Sequence, residues 1–355
     1  MVIIGLMSGT SLDGVDLAMC DIDGGGYRVL DATTIPYPEA WRERLANLEN
    51  ASAYEYALAN VELGHYLGRL VRDFSDGKPK AEAVASHGHT IFHRPELGLT
   101  TQIGDGDAIS AECGLPVISN FRTLDVALGG QGAPLVPIGD MLFFSQYDAC
   151  LNLGGIANIS YNADGRRSAF DICPCNMALN RLAALLGLDY DPQGENAARG
   201  NVHTCLKVRL DDIEFYSLPA PKSLGKEWFL EQFWPIVAKE KGTTDETTVC
   251  DLLATVSAHI AWQIAKILIR ENIGTLMVTG GGAFNRNLIG QIERYAPQMV
   301  VTVPDRLTVE YKVAVVFALL GYLRLCGERN TLRSVTGARQ DSCGGTISGL
   351  LLNQL

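Results

Sequence analysis

Three glycine-rich turns stand at the ends of apolar runs in this chain, and their residue types suit the handling of phosphate. Ser8-Gly9-Thr10-Ser11-Leu12-Asp13-Gly14 follows Val2 to Leu6 and leads into Val15, Asp16 and the run to Ile22. Leu153-Gly154-Gly155-Ile156-Ala157-Asn158 interrupts a second pair of apolar runs, and Gly280-Gly281-Gly282 closes Leu276 to Thr279. Glycines let backbone N–H groups approach phosphate oxygens, and the Thr10 and Ser11 hydroxyls add donors. An aspartate such as Asp13 can hold Mg²⁺ directly or through water. Two such hairpins would clamp the β- and γ-phosphates of a nucleotide, although each alone reads equally well as an ordinary turn. No Gly-Lys-Ser/Thr follows any of them, and the first leads into a strand rather than a helix. A P-loop and a dinucleotide fingerprint are therefore both excluded.

Other chemistry-bearing residues admit two readings each. His87-Gly88-His89, with His93 close behind, could ligate zinc or offer hydrogen bonds to a polar substrate. A zinc site of the His-x-His-x-Asp-His kind would need an aspartate and a histidine where Ile91 and Phe92 stand. Cys173-Pro174-Cys175 could be a redox or metal pair, but with no second pair at zinc-like spacing, packed free thiols are the better reading. Asp171 precedes an apolar-periodic stretch, Met177 to Leu186, and by position alone is a turn or N-cap aspartate. Glu310, at the start of a C-terminal helical pattern, would complement a helix dipole. Lys222, after a proline, reads as plain surface.

The elements that must position these residues alternate between strand and helix patterns. Val2 to Leu6, Val15 to Ile22 and Tyr27 to Ile35 read as consecutive antiparallel strands, and Trp41 to Phe74 as two amphipathic helices. Ala83 to Ser86 and Thr100 to Ile103 read as short strands around a polar loop, Asp105 to Cys113 as a helix and Pro116 to Asn120 as a strand. The turn chemistry of Leu128 to Pro134 marks the boundary between halves. The strand–glycine–strand pattern then recurs at Asp148 to Tyr161, and Val249 to Asn272 reads as a long helix. Two such openings predict an internally duplicated α/β chain divided into 1–135 and 136–355.

Composition bounds the partners. With 355 residues, two cores are expected. A formal net charge of −11 argues against a nucleic-acid surface, which would need a basic stripe. Nine scattered cysteines, an odd number, suit reduced thiols in a cytoplasmic protein rather than a disulfide framework. The longest apolar run, Val313 to Leu320, is too short to cross a bilayer, and the N-terminus lacks a basic leader pattern, so no membrane partner is expected.

Strand–turn–strand phosphate loops point to the actin-like sugar-kinase class, and the motifs resemble one family within it. Gly5-Leu6-Met7-Ser8-Gly9-Thr10-Ser11, Ser86 to Thr90, Gln102 to Gly106, Phe121 to Ala127, Gly129 to Pro137, Asn152 to Asn158, Pro221-Lys222-Ser223, Gly280 to Ala283 and Ser334 to Ala338 together resemble the anhydro-N-acetylmuramic acid kinases over nearly the whole chain. The resemblance implies a two-domain actin-like ATPase (ribonuclease H-like) fold with an interdomain active-site cleft. It also implies ATP and Mg²⁺ as cofactors, an amino-sugar substrate and a homodimer. The implied reaction is hydrolytic opening of a 1,6-anhydro bridge with phosphorylation of O6, in cell-wall recycling. A kinase for another amino sugar, and a nucleotide-binding regulator without catalysis, remain alternatives.

The same resemblance assigns roles. Asp171 would be the water-activating base, with Glu310 in support. Gly9, Thr10, Ser11, Leu12, Asp13, Gly14, Val15, Asp16, Gly154, Gly155, Asn158, Gly280, Gly281 and Gly282 would contact the nucleotide, Asp13 from the Mg²⁺ side. His87, His89, Asp105, Arg122 and Asn176 would bind sugar, Arg122 through a guanidinium–carboxylate fork. Around Asp171, Pro174 and Asn176 follow the family pattern, whereas Ile172, Cys173 and Cys175 depart from it, which bears on sugar choice.

Overall fold

The computed structural model describes residues 1–9, 12–24, 26–240 and 245–349, so Thr10 and Ser11 lie outside the described residues. The chain divides into two compact units, one of Met1–Phe143 with Tyr311–Leu355, the other of Phe144–Glu310.

In the first unit, β1 (Val2–Ser8) pairs antiparallel with β2 (Gly14–Asp23), and β2 pairs antiparallel with β3 (Gly26–Pro36). The short strand β4 (Ala83–Ser86) runs parallel to β1 on its other side. The stretch expected as a polar loop is instead a hairpin of its own, β5 (His89–Arg94) with β6 (Leu99–Ile103). The first sheet continues with β7 (Val117–Ser119), parallel to β4. Its helix Ala53–Ser75 is started by an N-cap in which Ser52 Oγ accepts from the Glu55 N–H at 3.1 Å. That helix buries Leu63, Leu67 and Val71 completely against Ile4, Leu6 and Leu17 of the sheet, each side chain contributing on the order of 1.5–3 kcal/mol.

The second unit repeats the plan. It contains β8 (Ala149–Leu153), β9 (Ile156–Ala163), β10 (Arg166–Pro174), β11 (Thr275–Thr279) and β12 (Val300–Thr302) in the order β10-β9-β8-β11-β12. The first three are antiparallel and the rest parallel to β8, as β1 to β4 and β7 are in the first sheet. The expected duplication is therefore a property of the sheets themselves. Helix Glu246–Arg270, capped by Asp245, is buried along most of its length in this unit's core. Among the described residues it is the one helix long and apolar enough to cross a membrane, and that burial accounts for its composition.

The division at 135/136 needs correction, because the chain returns. Residues from Tyr311 onward belong with the first unit, where β13 (Thr346–Ser348) pairs antiparallel with β7. The physical reason is a set of glycines. A Cβ on Gly5 of β1 would lie 1.8 Å from the Ala314 carbonyl oxygen, and one on Gly321 would lie 2.6 Å from the Ala85 Cβ. The helix Arg306–Cys326 thus lies backbone-close on β1 and β4. A buried ion pair between Lys312 and Asp140, at 2.6 Å, holds the same contact.

Candidate active site

Site residues gather separately in each unit. In the second, the hairpin turn between β8 and β9 holds Gly154 and Gly155. Their carbonyls are turned inward: Gly154 accepts from the Asn176 N–H at 3.1 Å, and Gly155 accepts from Cys175 and Met177 at 2.8 and 3.0 Å. Their own N–H groups make no hydrogen bond among the described residues. The turn therefore presents donors on one side and spends its acceptors on the other, as an anion cradle must. Asn176 fastens it further, its Nδ2 donating to the Leu153 carbonyl at 2.9 Å.

Gly280–Gly282 packs against this turn. Gly280 takes a positive φ of 81°, and a Cβ there would stand 2.7 Å from Asn152 Oδ1. On Gly282 it would stand 2.7 Å from the Leu153 Cβ and 3.1 Å from Asn176 Oδ1. Asn158 faces Asn152 on β8 and Asp171 on β10 across the ladder. Gly154, Gly155, Asn158, Asp171, Asn176 and Gly280–Gly282 are thus brought together, and Asn152, the first residue of the motif read from the sequence, belongs with them. Its signal was the Asn-x-Gly-Gly spelling at the strand end.

Asp171 sits where β10 slips register against β9, between Asp171 and Cys173. The segment 222–224 frames it: the Asp171 N–H donates to the Lys222 carbonyl at 3.0 Å, and Asp171 Oδ2 accepts from the Leu224 N–H at 2.8 Å. Burial pushes its carboxyl up to about 6, against the opposing pull of the Leu224 N–H. It is not an N-cap, since Cys175 occupies that position before helix Asn176–Ala183. A carboxylate near pH 6 is suited to take a proton from water. Cys173 and Cys175 are wholly buried free thiols in this unit's core. Burial pushes the Cys175 thiol up to about 12 and Cys173 well above its usual range.

Glu310 is exposed near the start of helix Arg306–Cys326 and accepts from Arg306 Nε at 2.7 Å, an i,i+4 pair of modest strength.

In the first unit, His87 follows β4 and is locked in one tautomer. Its Nδ1 must donate to the Gly88 carbonyl at 2.8 Å, and its Nε2 accepts from Arg122 Nε and a terminal nitrogen at 3.2 and 2.8 Å. Burial, then the Arg122 charge, holds this imidazole down to about 3, so it is neutral. Arg122 also donates to the Gly132 carbonyl at 2.6 Å, and burial lowers it to about 10. The expected fork thus has its Nε edge committed to His87. His89, held near 4 by burial, bonds Ser8 Oγ through Nδ1 at 2.8 Å, and Ser8 Oγ is 2.7 Å from the Tyr37 hydroxyl. Ser8 and Tyr37 were not singled out from the sequence, although Ser8 lies inside its opening motif. Asp105 is not joined to this cluster by any hydrogen bond among the described residues; it caps helix Gly106–Cys113, accepting from the Ala108 N–H at 2.9 Å.

Between β1 and β2, Leu12 has a positive φ of 62° and Asp13 is exposed. Gly14 has a packing reason of its own, since a Cβ would meet the Ile35 carbonyl at 2.6 Å. Val15 is fully buried, so only its backbone could meet a ligand, and Asp16 accepts from the Thr34 hydroxyl at 2.6 Å. No group of three His, Cys, Asp or Glu side chains that could hold a metal exists among the described residues, which removes the zinc reading of His87, His89 and His93.

Comparison with known proteins identifies the family. The family model described as anhydro-N-acetylmuramic acid kinase matches residues 1–349. A protein of that name from Streptomyces coelicolor is 36% identical over 98% of this chain and 94% of its own length. Another from Francisella tularensis subsp. novicida is 35% identical over 97% of this chain and 98% of its own. Among solved structures, a ROK family glucokinase from Streptomyces griseus in complex with glucose and AMPPNP covers 90% of this chain and 98% of its own, at TM-score 0.42 and 13% identity. Component A of the Acidaminococcus fermentans (R)-2-hydroxyglutaryl-CoA dehydratase covers 90% and 96%, at 0.45 and 13%. At those scores the two structures add nothing to the assignment, which rests on the family match and the sequence relatives. With a sheet plan that its two units share, the chain is a kinase and belongs to the anhydro-N-acetylmuramic acid kinase family.

Proposed function

We propose that the protein uses ATP and Mg²⁺ to open the bridge of 1,6-anhydro-N-acetylmuramic acid with water and to phosphorylate O6, giving N-acetylmuramic acid 6-phosphate and ADP in the recycling of cell-wall fragments. Asp171 carries this reading, as a partly desolvated carboxylate three residues along its ladder from a turn whose N–H groups are unspent. In the reaction Asp171 takes a proton from water as the remaining hydroxide bonds to the anomeric carbon. The C1–O6 bond breaks with its electrons moving to O6, which attacks the γ-phosphorus while the bond to ADP breaks. Gly154 and Gly155 N–H groups then receive phosphate charge, and Glu310 orients the sugar or the water.

The nucleotide fits the donor-rich turn just described. Mg²⁺ fits as the nucleotide's companion: kinase sites hold it by one or two carboxylates, water and phosphate oxygens, and no preformed cage is needed. Asp13 is the carboxylate assigned to it; the ion would neutralise charge on the transferring phosphoryl group. His87, His89, Arg122, Asp105 and Asn176 are assigned to the sugar, the first three as a rigid wall rather than as acids or bases. A cytoplasmic homodimer is part of the same reading.

Turnover in ¹⁸O-labelled water tests the proposal. Label at the anomeric carbon of the phosphorylated product is the expected result. Phosphorylation of open-ring amino sugars with no use of the anhydro sugar would overturn it.

A further inference from the structure

A cavity of about 300 Å³ lies within the Phe144–Glu310 unit on the far side of β10 from Asp171. Phe170 and Ile172 line it, and strand alternation directs Asp171, between them, away from it. Its other wall is one face of helix Glu246–Arg270, Gln263, Lys266, Ile267 and Arg270, and its rim is the loop carrying Tyr216 and Lys222. Three cations, Lys222, Lys266 and Arg270, line this space and no carboxylate does.

The nearby carboxylates are already engaged. Asp211 accepts from Lys207 Nζ at 2.6 Å, His259 Nδ1 at 2.6 Å and Gln263 Nε2 at 3.0 Å. Glu271 accepts from Arg270 Nε at 2.7 Å, and the same guanidinium also hydrogen-bonds the Tyr161 side chain. Lys222, read from the sequence as surface, is half-buried, and its Nζ donates to the Phe215 carbonyl at 2.9 Å. Burial, then the charges of Arg270 and Lys266, lower the Lys222 ammonium from its usual range.

We infer that this cavity is a binding site for a small phosphate dianion, free or as a phosphate monoester, separate from the nucleotide turn. Like charges gathered around a half-buried space are unfavourable unless an anion sits among them, and guanidinium and ammonium groups are the donors phosphate accepts best. Leu218, Ala220 and Ile267 supply an apolar patch on which the body of an ester could rest.

The test is lysine footprinting by amine acylation and mass spectrometry on the full chain, with a non-hydrolysable ATP analogue present throughout so that the Gly154–Gly155 turn is filled. Orthophosphate and glucose 6-phosphate are the two probes. Protection of Lys222 and Lys266 by either, with exposed Lys80 and Lys226 unchanged, is the expected result, and the probe acting at lower concentration identifies free anion or ester. Calorimetry adds a second reading: Lys266→Gln with Arg270→Gln should weaken binding of that probe by about tenfold or more. Unchanged labelling of both lysines with both probes at millimolar concentration, or calorimetric binding indifferent to the double substitution, overturns the site. Neither outcome bears on the kinase reaction.

Discussion

Replacing Asp171 by asparagine should abolish turnover and at the same time make the protein more stable at neutral pH. The carboxyl lies near 6 in the folded chain against 3.8 when unburied, a rise of about 2 units, and each unit corresponds to about 1.4 kcal/mol. The folded state therefore binds the proton more tightly than the unfolded state does. Below about pH 4 both are protonated and the group costs nothing; as pH rises through 6 the folded chain must hold a partly desolvated charge, and stability falls by up to about 3 kcal/mol. Asparagine is isosteric, its oxygen still accepts from the Leu224 N–H, and it carries no charge. Urea unfolding of both proteins should give the variant an advantage of about 1–3 kcal/mol at pH 7.5 that vanishes near pH 4. Losing the base should cost a factor of at least about 10²–10⁴ in kcat, with nucleotide affinity kept. A variant that is less stable at pH 7.5, or that turns over normally, refutes the reasoning.

Other substitutions separate packing from binding. Gly155→Ala should leave the melting temperature nearly unchanged, because its Cβ would meet nothing nearer than Met177 at 3.9 Å, yet weaken an ATP analogue by about tenfold in calorimetry by obstructing the N–H groups. Gly5→Ala should do the reverse, destabilising by about 3 kcal/mol or more in denaturant titration, since the Ala314 carbonyl has nowhere to move. Asp105→Ala should cost about 1 kcal/mol in the same assay as the lost cap of helix Gly106–Cys113. Chelation with EDTA should stop ADP release while leaving the melting temperature of the nucleotide-free protein where it was, given the absence of a three-ligand cluster among the described residues.

What the chain declares of itself depends on how local each feature is. The paired strand–glycine–strand openings are legible because alternation and turn chemistry act over a few residues, and the sheets follow from them. The return of the C-terminal helix was not legible: it rests on Gly5 meeting Ala314, more than three hundred residues away, and a lone glycine in a strand does not name its partner. Asp171 shows the same limit at the site. Spacing alone made it a turn residue, and its role came from family resemblance. Its altered proton affinity comes from burial, opposed by the N–H of Leu224, 53 residues later, and no motif encodes either. Lys222 was misread as surface because its half-burial is set by a helix that begins at Glu246.

The locked imidazoles of the first unit alter how kinetics on this enzyme should be interpreted. A rate that rises with pH around 6 is customarily assigned to a histidine. Here burial holds His87 and His89 near 3 and 4, so these two rings cross neutrality with no change of charge, and burial lowers His93 and His259 from the usual range as well. With Asp171 as the proposed base, the acid limb of the pH–rate profile is expected to follow that aspartate. Substituting the histidines should move its height while leaving its midpoint in place.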